Sequence, residues 1–71
     1  MDPQVTWQNL HEAFRERNWD EARELARSLL DWLQRGGFSP SVQGIPSTDP
    51  DLHRQAAQAF CRRVLREATA Y

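Results

Sequence analysis

The apolar side chains between residues 18 and 37 recur every three or four positions, which is the period of an α-helix buried along one face. Projected onto a helix, they fill an arc of about 160°, and every charged side chain of the segment lies outside it. The arc contains Trp19, Ala22, Leu25, Ala26, Leu29, Leu30, Trp32 and Leu33. A single neighbouring helix cannot cover an arc this wide, so we expect two helices to pack against this one.

The ends of this central helix are marked by residues that favour caps. Asn18 is a good N-cap, because its side-chain oxygen can accept a hydrogen bond from a first-turn amide, and Glu21 can complete a capping box. Gly36 can adopt the left-handed conformation that closes a helix, and Gly37 is expected to add slack. These signals predict a helix over residues 19–35.

Two Asp-Pro pairs predict the starts of two further helices. Asp2-Pro3 and Asp49-Pro50 each place an N-cap before a proline at the first helical position, where the missing amide costs nothing. The outer helices are predicted over residues 3–17 and 50–68. Because almost nothing separates the first helix from the central one, the two should be antiparallel neighbours.

Each outer helix has an apolar face of its own. The first helix presents Trp7, Leu10, Ala13 and Phe14; the third presents His53, Ala56, Ala57, Phe60, Val64, Ala68 and Tyr71, with Leu52 and Cys61 at the edges. Leu65 falls outside this face and is expected to be exposed. The pattern predicts an all-α protein, a three-helix bundle in which a third helix packs on an antiparallel hairpin.

The connection between the second and third helices covers residues 36–48 and is long for a small bundle. Its prolines exclude a helix. Two interpretations stay open. Either the loop has a function, or its Phe38, Val42 and Ile45 plug the open end of the helix pair.

Length, net charge and cysteine content limit which functions the chain can have. With 71 residues the chain makes one domain, and a core this small gives marginal stability unless the chain oligomerises. The net charge of −1 gives no general attraction to nucleic acid or to a membrane. The single cysteine excludes an internal disulfide and fits a cytoplasmic protein. We find no signal peptide and no apolar run that approaches a membrane span.

Candidate chemistry is sparse. His11 and His53 lie on different predicted helices, and neither has a cysteine or carboxylate at metal-ligand spacing. Cys61 could act as a nucleophile only beside a base placed by the fold. As a small, partly buried hydrophobe it needs no partner, and this is the interpretation we favour. The carboxylates are spread along polar faces. We therefore expect a protein that is not an enzyme and that needs no cofactor or metal.

Aromatic residues are plentiful, with three tryptophans, three phenylalanines and one tyrosine. Such side chains are enriched in protein interfaces and their hot spots. The tryptophans either line the core or form a docking patch, and a homodimer would satisfy both interpretations. The candidate protein-binding residues are Trp7, Trp32, Phe38 and Leu65. The leading hypothesis is an interaction module that binds a protein partner or a second copy of the chain.

The alternative is a small nucleic-acid-binding protein. All nine basic residues are arginines, and four of them lie on the third helix, namely Arg54, Arg62, Arg63 and Arg66. An arginine-rich helix can contact phosphate backbones. The same arginines also fit a solvated helix face, on which three lie near the C-terminus where the helix dipole favours positive charge.

A family resemblance covers less than half of the chain. Leu10 and Phe14 are the apolar residues of the first helix, and Trp19 and Ala22 open the second with an aromatic and a small residue. This pattern resembles a single tetratricopeptide helical hairpin. One hairpin cannot form the peptide groove of a solenoid, so the resemblance implies a hairpin but no binding mode. The second helix and the loop start are also similar to stretches of small uncharacterised bacterial proteins, which implies no activity.

Overall fold

The computed structural model describes residues 1–69 and confirms the three-helix bundle. Helix α1 covers Pro3–Arg15, α2 covers Trp19–Gln34 and α3 covers Pro50–Thr69. Each observed helix end lies within two residues of its predicted position. Tyr71, which was predicted to lie on the apolar face of the third helix, falls outside the described residues.

Both Asp-Pro pairs start helices as predicted. The Asp2 carboxylate accepts hydrogen bonds from the amides of Gln4 and Val5, at 3.0 and 3.3 Å. The Asp49 carboxylate accepts one from the amide of Leu52, at 3.1 Å. These bonds satisfy first-turn amides that have no partner inside the helix.

The capping pair at the start of α2 differs in one bond from the predicted capping box. The Asn18 side-chain oxygen accepts from the Glu21 amide at 3.5 Å, as expected. The Glu21 carboxylate, however, accepts from the side-chain amide of Asn18 at 3.0 Å. The backbone amide of Asn18 is already used, because it donates to the carbonyl of Ala13 at 2.9 Å.

That backbone bond belongs to a Schellman motif that ends α1. The Arg17 amide donates to the carbonyl of Phe14 at 3.1 Å. The bond from Asn18 to Ala13 spans more residues and encloses this one. The residue in the left-handed conformation is Arg17, with φ of 59°. An arginine there is strained, because its Cβ approaches the following carbonyl.

Helix α2 ends with the same motif built on glycine. The amide of Gly36 donates to the carbonyl of Leu33 at 3.1 Å, and the amide of Gly37 donates to that of Trp32 at 2.9 Å. Gly36 has φ of 93°, which confirms its predicted left-handed conformation. The two terminators therefore share one hydrogen-bond pattern but differ in the residue that adopts positive φ.

Helix α2 lies in the middle of the bundle, as its wide apolar arc predicted, and packs against both α1 and α3. The buried core cluster consists of Trp7, Leu10, Ala13, Ala22, Ala26, Leu29, Leu33, Ala57, Cys61 and Val64. Four cluster residues of α2 and α3 are small and let the helices approach closely, namely Ala22, Ala26, Ala57 and Cys61. Leu65 corrects the expectation of exposure, because it is half-buried and packs against this core.

Helices α1 and α3 meet mainly through rings, which form an aromatic cluster of Trp7, His11, Phe14 and Phe60. The ring of Phe60 lies 5.3 Å from that of Trp7 and 5.5 Å from that of Phe14, both edge to face. It stacks on the imidazole of His11 at 4.2 Å, with an angle of 8° between the planes. Phe60 thereby ties three side chains of α1 to α3.

The long loop plugs the bundle with only part of the predicted set. Val42 is half-buried against the core, and the neighbouring Pro40 is buried. The amide of Val42 donates to Nδ1 of His53 at 2.8 Å, and Nε2 of that ring lies 2.9 Å from the carbonyl of Pro46. His53 is therefore a buried clamp on the loop. Ile45 is half-buried but does not belong to the residues that pack against the core, and Phe38 remains 67% exposed.

Replacing Arg17 by glycine should raise the free energy of unfolding by about 0.5 kcal/mol. Glycine removes the left-handed strain of about 1 kcal/mol, and its greater freedom in the unfolded chain offsets part of the gain. Urea denaturation measures the change. Arg17→Ala controls for loss of the side chain and should not stabilise. Gly36→Ala, with open space around a new Cβ, should lose about 1 kcal/mol. A glycine at position 17 that destabilises would contradict the assignment of strain.

Candidate docking surface after the second helix

Phe38 follows directly on the terminator of α2 and is presented to solvent by Trp32. The two rings lie 5.7 Å apart at 82°, an edge-to-face contact. The indole N–H of Trp32 donates to the carbonyl of Phe38 at 3.0 Å. We name Trp32 and Phe38, together with Gly37, the aromatic corner.

Gly37 is required by the close approach of the Trp32 ring. A Cβ at this position would lie 2.4 Å from the indole atoms Cε2 and Nε1. Real side chains do not tolerate such a distance, so any other residue would displace the ring. The expectation that Gly37 adds slack is wrong: this glycine allows tight packing.

Arg54 holds the aromatic corner from the side of α3. Its guanidinium donates to the carbonyl of Leu33 at 2.5 Å and to that of Gly37 at 2.7 Å. The last carbonyls of α2 carry the partial negative charge of the helix dipole, which favours a cation at this position. The peptide units on both sides of Phe38 are thus fixed, one by Arg54 and the other by Trp32.

A hollow of about 300 Å³ lies beside Phe38. The ring of Phe38 and the buried Pro40 form one side, and Pro50, His53 and Arg54 at the start of α3 form the other. An exposed ring and an adjoining recess therefore share one surface. Four more polar residues line the hollow, namely Ser39, Ser41, Ser47 and Asp51, so it combines apolar and polar groups, as sites for the side chains of ligands and partners do.

The structure brings together two of the four candidate protein-binding residues. Trp32 and Phe38 form the aromatic corner. Trp7 is only 8% exposed and belongs to the core, which supports the core interpretation for that tryptophan. Leu65 packs against the core on α3. The candidate surface is therefore smaller than predicted and lies at one end of the bundle.

The four arginines of the third helix do not form one basic patch. Arg54 binds backbone carbonyls. Arg63 pairs with Glu67 at 3.4 Å and lies over the ring of Phe14, 5.8 Å from its centre. Arg62 and Arg66 are exposed. Only these two remain as candidates for a phosphate backbone.

Three further candidates are a nucleophilic cysteine, a metal site and a helix that crosses a membrane. Cys61 is buried, and burial raises the pKa of its thiol to about 12, so the thiolate needed by a nucleophile does not form near neutral pH. Residues 1–69 contain no group of three or more histidine, cysteine or acidic side chains placed to hold a metal ion. Among the described helices, none has the length and apolar character needed to cross a membrane.

Comparison of the chain with protein-family models, with curated protein sequences and with solved structures gives no match. The resemblance to a tetratricopeptide hairpin stays a prediction.

Two residues of the candidate surface were not predicted from the sequence. Nothing in the sequence marks Arg54 as a ligand of α2, whereas Gly37 carries a faint signal, a second glycine placed one turn beyond Trp32.

Gly37→Ala should lower the free energy of unfolding by about 1–3 kcal/mol, because the new methyl group forces the Trp32 indole out of its position. Urea denaturation gives the cost. The matched test is a double-mutant cycle with Trp32→Leu, in which the smaller side chain leaves room for the methyl group. The cost of Gly37→Ala should largely vanish in that background. Equal costs in both backgrounds would show that the ring is not what the glycine accommodates.

Arg54→Met should destabilise the protein by about 2 kcal/mol, because it removes two charged hydrogen bonds to carbonyls and keeps most of the side-chain volume. Arg62→Met is the matched control on the same helix. Arg62 is exposed, so its replacement should change stability by no more than about 0.5 kcal/mol. Thermal or urea denaturation compares the two. Similar small effects would mean that the Arg54 bonds contribute little.

Proposed function

We propose that this protein is a self-associating interaction module in which Phe38 inserts into the hollow of a second copy. The observation that carries the proposal is a large apolar ring, 67% exposed, on backbone fixed by its neighbours. A side chain that merely lacked room in the core would need no such support. Trp32 and Arg54 hold the peptide units on either side of it.

The backbone around Phe38 is already ordered in the free protein. This favours binding, because little conformational entropy is lost when the partner binds. Burying a ring that starts two-thirds exposed contributes about 2 kcal/mol. Association costs at least about 4 kcal/mol in lost translational and rotational freedom, and two rings, one from each copy, contribute about 4 kcal/mol in the opposite direction. The apolar walls provided by Pro40 and Pro50 add to this. We therefore expect a weak to moderate dimer.

The arrangement of ring and hollow favours a second copy as the partner. A two-fold interface uses the same patch on both subunits, so a projecting group and its recess must lie side by side. Phe38 and the adjoining hollow satisfy this condition. The net charge of −1 gives little repulsion between copies. Dimer formation would also stabilise a domain whose own core is small.

The alternative, nucleic-acid binding through α3, has less support. It depended on four arginines, and two of them are engaged within the chain. Two exposed arginines neutralise too few phosphates for strong binding at physiological salt. Labelled DNA or RNA that shifts at low salt, and less so with Arg62→Ala and Arg66→Ala, would revive it.

Light scattering on a sizing column, from about 10 μM to 2 mM, tests the dimer. The apparent mass of the natural chain should rise with concentration towards two copies. Phe38→Ser should weaken the dimer at least about tenfold, because each copy loses about 2 kcal/mol of burial. Leu52→Ser is the control, since Leu52 is also exposed, at 43%, but does not line the hollow.

Unchanged association of Phe38→Ser, with its helical content intact, would overturn the assignment of Phe38. A monomer throughout the concentration range would overturn self-association. Weakening by Leu52→Ser to the same extent would point to nonspecific apolar contact in place of a defined interface.

A further inference from the structure

We infer that the contact between α1 and α3 is acid-labile and that His11 is the residue through which protons loosen it. The inference rests on how the imidazole of His11 is placed within the aromatic cluster. It is independent of the proposed dimer, because His11 and Phe60 lie outside the hollow beside Phe38.

Aromatic rings from two helices pack against the half-buried ring of His11. It stacks on Phe60 of α3 at 4.2 Å and meets the edge of Trp7 at 4.3 Å and 77°. Its Nε2 atom is buried and has no hydrogen-bond partner within the described part of the chain. As a neutral ring, the imidazole behaves here like a third aromatic side chain.

Protonation changes this balance at one atom. The neutral tautomer protonated at Nδ1 places only a lone pair at Nε2, whereas the charged ring places an N–H donor there with no acceptor. A buried donor that lacks a partner costs free energy, and a charged one costs more. Burial, and secondly the charge of Arg15, lower the pKa of His11. The geometry and the titration thus agree in direction.

The surrounding charges do not compensate for the added proton. Two charged residues of α1, Glu12 and Arg15, line a hollow of about 550 Å³ beside His11, and the charge of Arg15 opposes protonation of the ring. The loop contributes only the uncharged Ser41 and Gln43 to that hollow. From α3, Phe60 faces the imidazole, and the nearby Arg63 lies over the neighbouring ring of Phe14.

The sign of the pH dependence follows from the lowered pKa. Above the ordinary histidine value of 6.5, both the folded and unfolded chains hold a neutral His11, and its contribution to stability is complete. As the pH falls through 6.5, the unfolded chain takes up the proton first, so the folded state is progressively disfavoured. The loss continues until the folded chain also becomes protonated.

The loss should be local before it is global. Helices α1 and α3 meet mainly through the aromatic cluster, whereas α2 holds each of them through buried aliphatic contacts that do not titrate. Acid should therefore loosen α1 from α3 and expose Trp7 and Phe60 while the remaining core persists. Opening of this kind would present a second aromatic surface at low pH.

NMR of the natural chain between pH 8 and 4.5 tests the inference directly. The imidazole of His11 should titrate below 6.5, and the indole N–H of Trp7 and the ring of Phe60 should shift with the same midpoint. Urea denaturation at pH 7.5 and 5.0 provides the second readout. The urea midpoint should fall further in the natural chain than in His11→Phe, which keeps the stacking but cannot titrate.

His11→Phe retains His53 and every carboxylate, so the difference between the two chains isolates His11. An equal fall of the urea midpoint in both would overturn the inference. So would a His11 midpoint at or above 6.5, or a Trp7 signal that ignores the titration. The NMR measurement uses only the natural chain and decides the question even if His11→Phe does not fold.

Discussion

Burial of the wide apolar face of α2 is the constraint on which the rest of the structure depends. Neither outer helix could cover that face alone, so α2 occupies the centre, and α1 and α3 both pack against it. Alanines at positions 22, 26 and 57 keep the backbones close at these contacts. The outer helices contact each other less than either contacts α2, and aromatic rings make most of the contact between them. The aromatic cluster is therefore a consequence of the central position of α2.

The Schellman motifs that end α1 and α2 set the direction in which the chain continues after each helix. The Schellman bonds that end α1 place Asn18 in position to cap α2, so one helix ends where the next begins. The same motif after α2 aims Phe38 away from the core and directs its carbonyl to Trp32. Exposure of Phe38 is thus set by how α2 ends, and Arg54 stabilises that geometry by binding the last carbonyls.

The sequence was sufficient for features encoded within one turn of helix. Apolar periodicity predicted the three helices and the central place of α2, and Asp49 and Gly36 predicted where helices start and stop. Features that depend on contact between distant segments could not be predicted. The residues around Arg54 in the sequence do not indicate that it binds the end of α2. Arginine also has no preference for the left-handed conformation that Arg17 adopts. The burial of Trp7 depended on Phe60, which lies more than fifty positions along the chain.

The same reasoning explains why the candidate surface was only partly predicted. Exposure is a property of the assembled fold, and a single helical wheel cannot tell an uncovered ring from one covered by another helix. Trp7 and Trp32 look alike in sequence, yet one is enclosed by α3 and the other supports an exposed neighbour. What distinguishes Phe38 is that no helix imposes its direction. It lies in a loop in which Pro40 and Val42 turn inwards, so its outward position is not forced by periodicity. In a domain with so small a core, a ring of this size left in water forgoes about 2 kcal/mol. The supporting bonds from Trp32 and Arg54 keep it there, which is why this ring, and not those that pack against the core, is the feature that a function has to explain.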